Sequence, residues 1–294
     1  MKFCIALAYN DPRELPALAI AAEKAGFEAV ILSDHLVYPA KLETPYPYTQ
    51  DGRPRWEPDT PWPDPFVAVG ALAAVTERLR FITSIFVLPL RHPVLAAKTI
   101  ATAAVMSDER LVLGIGAGWM REEFDLVGAP FARRGRRMEE SLAVMRALWT
   151  GEPVAHQGEF YRFDAVQMSP VPDRPVPVWG GGVSPVALRR AATLCDGWLS
   201  EIQKVAEMPD ILKILREARA DSPRAEIPFS VCAAVADAFT LDAYRRLHDQ
   251  GVTHLITVPW MFYGPATTLA TRCDGIARFG EEVLGPLSGD GGSG

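Results

Sequence analysis

Cysteine is scarce in this chain and scattered where it occurs: Cys4, Cys195, Cys232 and Cys273 form no C-x-x-C pair. Zinc knuckles and dithiol redox motifs need closely spaced thiols, so neither reading has support. There are only five histidines, and none stands with Asp or Glu at metal-ligand spacing. No G-x-S-x-G elbow occurs, which removes the usual signature of one large hydrolase class. Basic charge is in deficit, with 30 Lys+Arg against 36 Asp+Glu and a formal net charge of −6. That is the reverse of a nucleic-acid footprint, and no polybasic run suits an anionic membrane surface. Long apolar runs are missing as well. No stretch approaches the ~18–20 residues of a membrane span, and the run MKFCIALAY meets Asn-Asp-Pro before a signal-peptide core is complete. These absences point to a cytoplasmic protein with reduced, mostly buried cysteines and argue against a nucleic-acid or membrane partner.

What is present is a core-forming composition, 49% hydrophobic and 22% charged, arranged in a steady alternation. Apolar β-rich runs (KFCIALAY, FEAVILSD, RFITSIFVLP, LVLGIGAG, VPVWGGG, a very short GWLS, FSVCAAVA and THLITVPW) are each followed by a helical pattern. One helix is expected over 93–106, and another ends at Gly26, which suits a C-terminal cap. Near-continuous apolar strands separated by amphipathic helices mean parallel strands covered by helices. Eight such units match an α/β (β/α)₈ TIM barrel. No linker-like shift in composition divides the chain, so residues 1–287 read as one barrel domain and the glycine-rich end, 288–294, as a disordered tail. Two insertions interrupt the rhythm. Residues 36–65, after the second strand, are dense in proline and aromatics and read as an ordered lid; residues 152–172, before the fifth, read as a small hairpin turning near Gly158.

In such a barrel the C-terminal strand ends carry the chemistry. The second strand ends in Ser33-Asp34-His35, the third carries Ser84-Ile85, and the fourth ends in Gly114-Ile115-Gly116-Ala117-Gly118-Trp119. The spacing G-x-G-x-G on a fourth strand does not make a dinucleotide fingerprint. These glycines are expected to keep the wall thin so that a flat ring can lie against the backbone. After the fifth strand, Gly180-Gly181-Gly182-Val183 run into Ser184-Pro185, a good N-cap followed by proline at the first helical position. A helix start with free N–H groups and no side chains in front of it is an anion site, and phosphate is its natural tenant. A well-capped helix without a ligand is the plain alternative. His35 is the histidine at a strand end, with an ordinary pKa suited to proton transfer. Asp34 beside it could serve as its hydrogen-bond partner. His92 reads as structural, and His156, His248 and His254 as surface or packing residues.

The stretches LSDHLVYP, RFITSIFVLPLRHP, LVLGIGAGWMREEFDLVG and PVWGGGVSP together resemble the bacterial luciferase-like oxidoreductases, most closely the branch that uses the deazaflavin coenzyme F420. The resemblance implies the same (β/α)₈ barrel. It implies a non-proline cis peptide at Ser84-Ile85 supporting the deazaflavin ring, ring contacts at Ala117 and Gly118, and a phosphate cradle from Gly180, Gly181, Gly182, Val183 and Ser184. It also implies His35 as the catalytic histidine and brings Arg134 towards the cofactor's acidic tail. Sugar-phosphate dehydrogenases of that branch carry a catalytic glutamate directly after the strand-four glycines, where this chain has Trp119. A sugar phosphate is therefore not the expected substrate. Trp119, Trp260 and Tyr38, with Trp179, suggest an apolar or aromatic pocket instead.

The activity implied is hydride transfer between coenzyme F420 and a small organic molecule, without a metal. An FMN-dependent monooxygenase is the alternative on the same barrel, and a cofactor-binding protein without turnover is the other. The resemblance further implies a homodimer.

Overall fold

The computed structural model describes residues 1–289. In chain order its elements begin β1 (Lys2–Ala6), α1 (Leu15–Ala25), β2 (Ala29–Leu32), α2 (Pro65–Ala73), β3 (Arg80–Thr83), β4 (Phe86–Val87), α3 (Pro93–Met106), β5 (Leu111–Gly116), α4 (Arg121–Leu126) and α5 (Arg134–Leu148). They continue with β6 (Val154–Gln157), β7 (Arg162–Val166), β8 (Val178–Gly181), α6 (Pro185–Leu194), β9 (Gly197–Gln203), α7 (Met208–Ala220), β10 (Ser230–Val235), α8 (Leu241–Asp249), β11 (His254–Thr257), α9 (Leu269–Phe279) and α10 (Gly285–Gly289). A 3₁₀ turn over Pro259–Phe262 follows β11, and a π-helical turn over Gly280–Leu284 joins α9 to α10.

Every pairing in the main sheet is parallel, and it closes: β1 pairs with both β2 and β11, and β3 meets β5 through Phe81–Leu111 and Ile82–Val112. β3 and β4 are two halves of one barrel strand, interrupted at Ser84-Ile85, where the peptide is cis. Eight staves therefore form the closed (β/α)₈ barrel that the alternation predicts.

Side-chain alternation along these strands separates two apolar regions. Ile31, Ile82, Val112, Trp179, Leu199 and Cys232 fill the barrel interior. Their neighbours Val30, Phe81, Leu113, Val178, Trp198 and Val231 point outward and bury the inner faces of the helices. Helix starts follow side-chain chemistry: Asp64 accepts from the Phe66 and Val67 N–H groups, and His92 accepts from Val94 N–H. At the other end, Gly26 closes α1 with φ +91°.

Three features depart from the pattern. The expected four-residue strand at GWLS extends to seven residues as β9, carrying Glu201 to the rim. α4, too short to show a period, lies between the fourth strand and the long helix that the sequence pattern marks. The chain at 288–289 continues α10, and the remainder of the expected tail, 290–294, lies outside the described residues. β6 and β7 pair antiparallel as a hairpin, and Gly158 N–H donates to Tyr161 O within its turn. Residues 36–64 hold no helix or strand, yet Tyr46 and Trp56 within them are buried.

Candidate active site

A cavity of about 990 Å³ opens at the C-terminal ends of the strands. One wall is the break between β3 and β4. There Ser84 N–H donates to Leu32 O at 2.7 Å, and Ser84, Ile85, Ala117 and Gly118 face the cavity.

The glycines in and just after β5 stand against that break. A Cβ on Gly114 would stand 1.8 Å from Thr83 O, and one on Gly116 would stand 1.9 Å from Ile85 Cδ1. Gly118 has φ +79°, and a Cβ there would meet Val87 and Phe124. Gly114 makes room for the neighbouring strand and Gly116 for Ile85, while Gly116 and Gly118 also face the cavity.

The second glycine run divides in two. Gly180 does not reach the cavity: its Cβ would meet Ala191 Cβ at 2.8 Å, so it is there to let α6 lie against β8. Gly181, Gly182, Val183 and Ser184 do face the cavity. Gly182 has φ +106°, a conformation L side chains rarely adopt, and Ser184 caps α6 by accepting from Ala187 N–H at 3.3 Å. Arg134 stands on the same side. Its Nε donates to Gly118 O at 2.9 Å, and its guanidinium lies 3.9 Å from the Phe131 ring centroid. Burial, and Arg121 nearby, lower its pKa, and among the described residues no carboxylate pairs with it.

One end of the cavity is aromatic. His35 sits beside Trp56, Trp62 and Trp119, with ring centroids 4.8, 5.2 and 6.1 Å away. Trp62 Nε1 is buried without a hydrogen-bond partner among the described residues. Tyr9, Tyr46 and Tyr48 line the same end, and burial followed by the Glu201 carboxylate raises their pKa values. Each therefore keeps its phenolic proton as a donor at neutral pH. Glu201 itself is ion-paired with Arg55 of the 36–65 segment.

Asp34 is not the partner of His35. Its side chain is 2% exposed and takes a bidentate pair from Arg91, at 2.6 and 2.8 Å, plus Val87 N–H at 2.9 Å. Both its oxygens are thus committed to holding the β4 turn. The partner is Glu123 of α4, at 3.3 Å from His35 Nδ1. No motif marks Glu123, whereas Glu201 stands at the end of the short GWLS strand, among the strand ends expected to carry chemistry. The only sequence signal for Glu123 was its place among the acidic residues following the glycine-rich strand.

Two expected pocket residues fall outside the lining. Trp260 packs against Gly275 of α9, and Tyr38 packs against the cluster of Tyr46, Trp56 and Met120, of which Tyr46 and Trp56 do line the cavity. Trp179 lies in the barrel interior, 5.0 Å from the His254 ring. Of the tryptophans expected to line the pocket, Trp119 does.

Similarity to known proteins agrees with this architecture. The chain is 35% identical over 287 residues to an uncharacterized protein of Mycobacterium tuberculosis, covering 97% of this chain and 99% of that one. It is 32% identical over 243 residues to an F420-dependent glucose-6-phosphate dehydrogenase of Nakamurella multipartita, covering 81% of this chain and 67% of that protein. The fold superposes on monooxygenase RslO1 from Streptomyces bottropensis with a TM-score of 0.76 at 19% identity, over 98% of this chain and 100% of that one. A model of the family described as luciferase-like monooxygenase matches residues 3–272. That match spans all eight staves and both insertions, and the chain belongs to the luciferase-like monooxygenase family.

Proposed function

We propose that this protein is an oxidoreductase dependent on the deazaflavin coenzyme F420, moving a hydride to or from a small apolar or aromatic organic substrate. The observation that carries the reading is the mixed lining of the cavity of about 990 Å³. It brings together a helix N-terminus, a glycine with positive φ and a desolvated arginine that no carboxylate among the described residues pairs with. It also holds an aromatic box around His35. A planar, phosphorylated cofactor with an acidic tail has complementary chemistry. Gly182, Val183, Ser184 and the free N–H groups of α6 would hold its phosphate, Arg134 would face its acidic tail, and Ser84, Ile85, Ala117 and Gly118 would bed the ring. When bound, the deazaflavin supplies a hydride donor or acceptor at a ring carbon that does not form the oxygen adduct a flavin uses.

The chain's own residues then do three things. Trp56, Trp62 and Trp119 exclude water from the reacting face. The unpartnered Trp62 Nε1 donates to an oxygen of the substrate. His35 exchanges a proton with that substrate. The 32% identity to an F420-dependent dehydrogenase supports the cofactor. A phosphorylated substrate is disfavoured, because Arg55 at the substrate end is already engaged by Glu201.

Titration of the purified protein with coenzyme F420 and, separately, with FMN tests the reading, followed by quenching of the tryptophans around His35. Micromolar binding of the deazaflavin is the expected result. Binding of FMN alone would replace the proposal with a flavin monooxygenase, and binding of neither would remove it.

A further inference from the structure

Glu123 is a carboxylate whose side chain is only 2% exposed. Its Oε1 accepts the Leu36 N–H at 2.6 Å, and His35 Nδ1 lies 3.3 Å from Oε1 and 3.4 Å from Oε2. Both neighbours it serves are nitrogens; Leu36 N–H can only donate, so Oε1 is already an acceptor, and with both oxygens turned to Nδ1 the shared hydrogen is assigned to the ring nitrogen. A neutral imidazole has a single N–H, so its Nε2 carries the lone pair. Asp34 cannot compete for the ring, since Arg91 and Val87 occupy its oxygens.

We infer that Glu123 is a positioning residue: it locks His35 in the Nδ1–H tautomer and so presents Nε2 to the cavity as a proton acceptor. It also ties the ring to the start of the 36–65 segment, because the same carboxylate holds Leu36 N–H. The effect on turnover rests on the oxidoreductase function proposed above; the tautomer does not.

The test uses the full protein labelled with ¹⁵N-histidine and free of ligands, reading the two-bond nitrogen–carbon-proton correlations of the signal that His35→Ala removes. The wild type should show the Nδ1–H pattern. In Glu123→Gln the side-chain oxygen stays on Leu36 N–H and the amide N–H₂ turns to Nδ1, so the His35 tautomer should invert to Nε2–H. Glu123→Asp, which keeps the carboxylate, should retain the Nδ1–H pattern. With coenzyme F420 and a substrate, Glu123→Gln should lower kcat by about 10²–10⁴-fold with KM little changed.

A wild-type spectrum showing Nε2–H or an averaged pattern overturns the inference, and that measurement needs no variant to fold. So does a Glu123→Gln protein that loses turnover with its tautomer unchanged. An inverted tautomer in a protein that binds no deazaflavin would remove the proposed function and leave this inference standing.

Discussion

Burial decides how single charged groups behave in this barrel, and His254 is the clearest case. It opens β11 at the foot of the barrel, 5% exposed, with Nδ1 on Thr253 Oγ1 at 2.7 Å and Nε2 without a partner among the described residues. Burial, and then the nearby Lys2, push its pKa down from 6.5 to about 4. The unfolded chain binds this proton near pH 6.5 while the folded protein refuses it until about pH 4. Stability from this residue is therefore complete above pH 6.5 and lost as pH falls towards 4. The shift corresponds to about 3 kcal/mol. Urea unfolding at pH 7 and pH 4.5 should show wild type losing about 2–3 kcal/mol more than His254→Gln; equal losses would contradict the assignment. The sequence pattern marked His254 as a surface or packing residue, and packing is the outcome. Its neighbours Lys2 and Arg80 open β1 and β3 and Glu28 immediately precedes β2, and no local pattern shows that convergence.

Glycine acts at the scale of the element, and its role depends on what the next element brings. Gly70 stands within α2 with nothing within 4 Å of a Cβ, whereas Gly114 of β5 faces Thr83 O at 1.8 Å. Alanine at the two positions should act in opposite directions. Gly70→Ala should stabilise by up to ~1 kcal/mol through helix propensity. Gly114→Ala should destabilise by about 3 kcal/mol or more, since the obstacle is backbone and cannot rotate away. Denaturant midpoints of the two variants measure both. The same contrast explains what the glycine pattern could tell. The positive φ of Gly182 follows from the turn before a capped helix, which local chemistry announces. The closeness of Gly180 to Ala191 and of Gly116 to Ile85 depends on elements that meet only after folding. α4 escaped for a related reason: with six residues it is shorter than two turns and has no hydrophobic period to read.

Closure of the barrel belongs to the whole molecule. β1 meets β11, and α1 packs beside α9. The Phe279 ring lies 5.6 Å from Phe3 and 5.7 Å from Phe27, Arg272 is ion-paired with Glu14, and Gly280 rests on Ala25. A chain ending at residue 268 would leave these rings in water and the α1 flank uncovered. Such a truncation should lose its cooperative thermal transition and aggregate, as read by calorimetry and light scattering; a sharp transition near the wild-type temperature would show that closure matters less than these contacts indicate.

The eight-fold alternation, the capped helices, the rim position of His35 and the N-terminus of α6 were determined by the sequence itself. Each depends on residues within a few positions of one another, where periodicity and capping act. Tertiary structure alone decided that Glu123 rather than Asp34 serves His35 and that Gly180 faces a helix. It likewise decided that Trp56 and Trp62 take the pocket places expected of Trp260 and Tyr38. In each case the deciding partner comes from another element or loop, and only closure of the barrel brings the two together.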